Sequence, residues 1–293
     1  MAELRVLCVH AHPDDEAIWT GGTLARYAEE GAVTAVVTCT WAEGTQRAGE
    51  LERSLAILGA GEPLLLGYAD ARKPESAPGA PRFVDVPLDE TVGRLVEHIR
   101  RLRPDVVLTY DGYGVYGHPD HVHAHRVTMA AVEAAGYDQL HRDAGEPWRP
   151  RALYLATIPR SVVLSHWRTV FGADPDPAQT LPGVPDDQIT THLDVSRWGE
   201  RKWAAMHAHE SEVGRGASMT MLTALPEPAR ALMLANEWYR RVPLTGGSPF
   251  GGSPTGGSPT GGSPTGGSPT GGSLTGGSLA SGSSAGDVET ALG

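Results

Sequence analysis

The chain has 293 residues, with 24 basic against 35 acidic side chains and a formal net charge of −11 at pH 7. That balance argues against nucleic acid or an anionic membrane as the main partner and favours a small molecule. No apolar run approaches the ~18 residues of a membrane span, and the start, MAELRVLCVHAHP, lacks the basic and apolar regions of a secretory signal.

Leu4–Val9 is an unbroken apolar run and reads as a buried strand of the parallel type. Leu24, Tyr27 and Ala28 lie at helical spacing within Gly21–Glu30, and Gly31 supplies the closing residue. Val33–Thr40 reads as a second strand, Arg47–Leu58 as a helix stopped by Gly59, and Pro63–Leu66 as a short third strand. Ala69–Arg82, rich in Pro, Gly and Ala, is a loop. Leu88, Val92, Leu95, Val96, Ile99 and Leu102 form a helical stripe framed by Pro87 and Pro104. Val106–Thr109 is a fourth strand, followed by a glycine-rich loop and a helix from Asp120 to Ala135. Ala152–Ile158 is a fifth strand; irregular chain follows, then helices over Arg197–His209 and Glu227–Arg240.

Such alternation predicts βαβ units, and hence an α/β fold: a Rossmann-like three-layer sandwich with a mainly parallel sheet. Residues 1–245 suffice for one well-buried domain. From Gly246 the chain repeats GGSPF, GGSPT four times, GGSLT and GGSLA, a composition that cannot offset its ordering entropy. A flexible tail is expected over 246–293. Cys8 and Cys39 sit inside apolar strands, which predicts buried free thiols and a cytoplasmic protein.

Two polar clusters follow apolar strands: His10-Ala-His-Pro-Asp-Asp-Glu16 and Tyr116-Gly-His-Pro-Asp-His121. Strand C-termini in such folds open onto the ligand crevice, so both clusters fall on one sheet edge. His12 and Asp15, three apart across a proline turn, can reach one ion, and His121 is the natural third ligand. A catalytic zinc takes three such ligands and keeps a position for water. Asp14, beside a ligand, suits a general base. His118 is placed to stabilise an oxyanion or protonate a leaving amine, and Tyr116 offers a phenolic donor. The pattern points to a metal hydrolase.

AHPDDE together with GHPDH resembles the LmbE-like (PIG-L) superfamily of zinc-dependent N-acetylglucosamine deacetylases. The stretch VVLTYDGYGVYGHPDHVHAHRVT is closely similar to the mycothiol-pathway members, N-acetylglucosaminyl-inositol deacetylase and mycothiol conjugate amidase. The resemblance runs from about Leu4 to Ala135 and returns around Ala208–Val213. It implies deacetylation of an N-acetylated amino sugar, or cleavage of a thiol conjugate or a natural-product sugar amide. It also implies His12, Asp15 and His121 as ligands of Zn2+ (or another divalent ion such as Fe2+), Asp14 as base, and His118 and Tyr116 as helpers. Arg47, in RAGEL, and Asp70, in GYADAR, become sugar contacts. Trp19 is a departure, standing where those enzymes carry a small polar residue or lysine, and it reads as a pocket wall.

The remaining histidines have plainer readings. His98, His141, His166 and His192 are taken as surface or core. His10 points away from the crevice by strand alternation, and His123 is expected in solvent. His125, four residues after His121, could share its helical face as a metal pair, but reads as a supporting residue beside the site or a structural one; Asp120 reads as a supporting residue. His207 and His209 belong either to the site or to a polar helix face. A helix cap would account for one aspartate of HAHPDDE and leave the rest unexplained. A metal- or sugar-binding module without catalysis would have no need of Asp14.

Overall fold

The computed structural model describes residues 3–178, 180–214 and 218–244; the expected tail lies outside the described residues. The first half runs β1 (Arg5–His10), α1 (Asp15–Trp19), α2 (Gly21–Glu29), β2 (Val33–Thr40), α3 (Gln46–Leu58), β3 (Leu64–Tyr68), α4 (Leu88–Leu102) and β4 (Val106–Tyr110). A short turn α5 (Gly114–Gly117), α6 (Pro119–Ala134), β5 (Ala152–Thr157), α7 (Arg160–Phe171) and β6 (Thr191–Asp194) follow. Four helices, α8 (Gly199–Ala208), α9 (Glu210–Val213), α10 (Ser218–Thr223) and α11 (Glu227–Ala235), lead into β7 (Asn236–Val242).

The sheet order is β3-β2-β1-β4-β5-β7-β6. The first five strands pair in parallel and β7 pairs antiparallel with both β5 and β6. Alternation along β1 divides the core: Val6 and Cys8 pack with Leu24, Leu51 and Leu55, whereas Leu7 and Val9 pack with Leu95, Ile99 and Val127. Helices thus cover both faces, as the alternation predicts. The strand order reverses between β1 and β4, the position where such sheets open a crevice. The free thiols of Cys8 and Cys39 are both buried. Among the described residues no helix is long and apolar enough to cross a membrane.

Two expectations need correction. The second half of Glu227–Arg240 is not helical. Glu237 and Tyr239 are buried and Trp238 between them less so, a period of two that fits a strand paired with β5. The segment after β5 is not wholly irregular either. It contains α7, none of whose residues is buried, and the four-residue β6. Val163, Trp167 and Val170 give α7 a short apolar period, and β6 is too brief to print one.

β7 also fastens the N-terminal half. Glu237 accepts bonds from the backbone N–H groups of Gly22 (2.8 Å) and Thr23 (2.9 Å), satisfying the first turn of α2, and pairs with the buried Lys202 at 2.7 Å. Here α2 passes so close to Val195 that a Cβ on Gly22 would lie 2.4 Å from Val195 Cγ2. Gly22→Ala is therefore expected to destabilise the fold by about 1–3 kcal/mol. Urea unfolding measures this, and a variant as stable as wild type would show that the contact relaxes.

Candidate active site

HAHPDDE leaves β1 at the switch point. Pro13 and Asp14 turn the chain, and Asp14 takes φ 125° at the start of α1 without capping it. A positive φ on a non-glycine residue is strained, and such strain concentrates at functional sites. The second cluster is built by Asp111, just past β4. Its Oδ1 accepts from the Tyr113 and Val115 N–H groups (both 3.0 Å), and its Oδ2 accepts from the Thr157 hydroxyl (2.6 Å). The turn it fixes is tight. Val115 is buried at φ 64°, and a Cβ on Gly114 would meet His121 Cβ at 2.6 Å. His118 then caps α6, its Nδ1 accepting the Asp120 N–H at 3.2 Å, with Pro119 in the first turn.

The hydrogen bonds define the proton on each imidazole. With a cation in place, His12 Nε2, facing Asp120 Oδ2 at 3.1 Å and Asp70 Oδ2 at 3.2 Å, would keep its proton, and Nδ1 would give its lone pair to the ion. His121 Nδ1 donates to the Gly114 carbonyl at 3.2 Å, freeing Nε2. In His118 the order is reversed: Nδ1 accepts, so Nε2 is the donor. Only two of the three rings can offer a lone pair to a cation at this point.

Those two lone pairs meet one carboxylate oxygen. His12 Nδ1 lies 3.2 Å from His121 Nε2, and Asp15 Oδ2 lies 3.3 Å from each. Three ligands about 2.0–2.1 Å from a tetrahedral ion stand about 3.3–3.4 Å apart, so the donor set fits a divalent cation. Broader groupings also come within reach, namely His12–His118–His121 and His12–Asp70–His118–Asp120. The tautomer of His118 excludes it as a ligand, while Asp70 and Asp120 hold the far nitrogen of His12. The surroundings want positive charge: burial opposes a charged His12, but bonds to Asp120, Asp15 and Asp70 hold its pKa well above the usual value. Asp15 is anchored further by the Tyr110 hydroxyl at 2.7 Å and by Trp19 Nε1 at 3.2 Å. Tyr110 also stacks on His121, with ring centroids 4.2 Å apart.

The cluster opens into a cavity of about 420 Å3 lined by His12, Asp14, Asp15, Trp19, Arg47, Asp70, Tyr116 and His118, among others. Burial, reinforced by Asp15 and opposed by Arg47, pushes Asp14 up to about 7. Arg47 Nη2 sits 2.9 Å from Asp14 and also bonds the Pro13 carbonyl; its guanidinium lies over Trp41, 4.5 Å from the ring centroid. Trp41 itself has φ 74°. Burial, with His12 and His121, lowers His118 to about 4, leaving a neutral donor. Tyr116 is 39% exposed at the rim, edge-on to His121.

All the expected site residues therefore converge except His125, which bonds the Tyr110 carbonyl at 2.9 Å and supports the site through that strand end. Arg47 and Asp70, expected as sugar contacts, line the cavity but are already engaged by Asp14 and His12. His123 is not solvated as expected; it packs edge-on against Phe83. His10 turns away to bond Thr20 at 2.9 Å. Sequence reasoning passed over Tyr110, Asp111, Trp41, Glu16 and Glu212. It left His209 open; the ring is fully buried, 2.8 Å from Glu16. Glu212 reaches the cavity from α9, 3.5 Å from Arg47.

A mainly parallel sheet with two histidines and an aspartate converging at its switch point defines the class of α/β metal hydrolases. The family model described as PIG-L, GlcNAc-PI de-N-acetylase, matches residues 7–132. A relative from Rhodococcus jostii, 1D-myo-inositol 2-acetamido-2-deoxy-alpha-D-glucopyranoside deacetylase, is 43% identical over 249 residues, covering 73% of this chain and 83% of the relative. A relative of the same name from Thermobifida fusca is 39% identical over 246 residues, covering 73% and 85%. The chain belongs to the PIG-L family of de-N-acetylases. Among solved structures, a conserved protein from Thermus thermophilus superposes with TM-score 0.56 and 26% identity over 83% of this chain and all of that one. The N,N'-diacetylchitobiose deacetylase of Pyrococcus horikoshii shares the fold, with TM-score 0.56 and 18% identity over 82% of this chain and 84% of that one.

Proposed function

We propose that the chain hydrolyses the acetamide of N-acetylglucosaminyl-inositol, releasing acetate and the free amine, as a cytoplasmic step of mycothiol biosynthesis. Zn2+ would be held by His12 Nδ1, Asp15 Oδ2 and His121 Nε2. The observation that carries this reading is the spacing of His12 Nδ1, His121 Nε2 and Asp15 Oδ2, 3.2–3.3 Å from one another, beside a third imidazole whose Nδ1 is taken by the Asp120 N–H. The named activity of the relatives, and the two free thiols, support it.

A bound divalent ion supplies what side chains cannot, an acidified water and a polarised carbonyl. Asp14 takes the proton from the attacking water and returns it to the departing nitrogen, a task suited to a carboxyl raised toward neutrality. His118 Nε2 and the Tyr116 hydroxyl donate toward the oxygen on which negative charge develops. Arg47 holds Asp14 in place, and Asp70 and Asp120 keep the His12 ring turned to the ion.

The test is amine release from N-acetylglucosaminyl-inositol and from free N-acetylglucosamine by metal-replete protein. The inositol conjugate is expected to react with the higher kcat/KM. A chelator should abolish turnover and added Zn2+ restore it. Turnover that survives complete metal removal would rule out this mechanism, and a preference for the free sugar would rule out this substrate.

A further inference from the structure

The reaction cavity does not end at Trp19. A second cavity of about 100 Å3 lies against it, and Ile18, Trp19, Ile158 and Leu222 line both. Its other walls are largely apolar, with Val162 from α7, Leu225 before α11, Met233 from α11 and Trp238 from β7. One polar atom on its wall is open, His166 Nε2 from α7, which is buried and has no hydrogen-bond partner; the other polar groups that reach it offer a ligand little. Lys202 is paired with Glu237, and Glu237 is saturated by Gly22, Thr23 and Tyr239. Thr157 is committed to Asp111, and Asn236 to the Leu232 carbonyl. An N-acetylated amino sugar joined to a polyol has only its acetyl methyl to place in such a chamber, about one of the three water-sized groups that 100 Å3 admits. The roof is lightly anchored, since α7 buries none of its residues and leaves Phe171 61% exposed.

We infer that this chamber receives an apolar arm of the substrate, so that the enzyme also hydrolyses amino-sugar amides bearing a short alkyl extension beyond the acetylglucosamine core. A volume of about 100 Å3 admits about three water-sized groups, which sets the length of the arm at about three carbons. The arm enters past Trp19, carried either on the acyl group or on the glycosidic oxygen. The inference rests on reading the site as an amide hydrolase and not on the identity of the sugar.

Two substrate series test it: glucosaminyl-inositols acylated with acetyl through hexanoyl, and alkyl glycosides of N-acetylglucosamine from methyl to hexyl. In the wild-type protein, kcat/KM is expected to rise by about fourfold per added methylene over the first two or three carbons of one series, then to fall. Which series rises identifies the arm. Val162→Phe and Leu225→Phe fill the chamber from opposite sides without touching the metal cluster. Each should erase that rise while leaving the rate on the acetyl or methyl member within about twofold. A rise that persists in both filled variants overturns the inference, as does a steady decline in both wild-type series; the latter needs no variant to fold. If N-acetylglucosaminyl-inositol fails while a longer-armed amide reacts, the proposed sugar falls and the chamber stands. If it reacts and every lengthened substrate is worse, the chamber falls and the proposed sugar stands.

Discussion

Asp14→Asn is expected to lower kcat by about 10²–10⁴-fold, the usual contribution of a positioned acid–base group, while the protein keeps its full complement of metal. Asparagine preserves the shape of the side chain and, of the uncharged residues, is among the most tolerant of positive φ. It therefore removes the proton function without adding the backbone strain that alanine would meet at φ 125°. The proposed ligands are His12, Asp15 and His121, so metal content is unaffected. The pH profile carries the same information. As a base, Asp14 acts when deprotonated, so kcat/KM should rise with pH through its pKa, about 7 before metal binds. A cation beside it favours the carboxylate and moves that limb lower. The limb should vanish in the variant. A metal-loaded Asp14→Asn protein with kcat within tenfold of wild type would show that another group takes the proton.

His209→Ala is expected to destabilise the fold by about 3–5 kcal/mol because it strands a buried charge. His209 and Glu16 are both fully buried and 2.8 Å apart, and the Ser54 hydroxyl also donates to Glu16, at 2.5 Å. Burial opposes both charges, yet the pair holds His209 above 6.5 and Glu16 below 4.5. The sign follows for each partner. Stability from His209 is fully present below its unfolded value of 6.5 and is lost as pH rises through the raised folded value. Stability from Glu16 is present above 4.5 and is lost as pH falls through the lowered one. The pair supports the fold most between those limits. Denaturant unfolding across pH should show wild-type stability declining on the alkaline side and His209→Ala lacking that part of the decline. Identical alkaline profiles would mean that His209 is neutral in the fold.

Much of this site was legible because strands of a parallel sheet deliver their C-terminal residues to one edge. HAHPDDE and GHPDH needed only the assignment of β1 and β4 to converge. The proton on each ring was not legible. It depends on a carbonyl at Gly114 and a backbone N–H at Asp120, which are set by the turn that Asp111 builds. The partnership of His209 with Glu16 joins residues 193 positions apart, and no local spacing announces it. In sequence, β7 continues the helical pattern of α11, because no proline or glycine follows Pro228 before the strand begins. In α7, Val163, Trp167 and Val170 do lie at helical spacing, but the period is short and none of its residues is fully buried.

The bond from Gly22 to Glu237 spans 215 residues of chain. A ribosome adding ~5–20 residues per second needs about 10–40 s to travel that distance. Throughout that interval α2 has no carboxylate at its first turn, although β1, β2 and His12 have already been made. The proposed metal ligands are thus synthesised well before the residue that fixes the adjoining helix. Order of synthesis and order of assembly differ in this protein: the end of the sheet, made late, completes a helix made near the beginning.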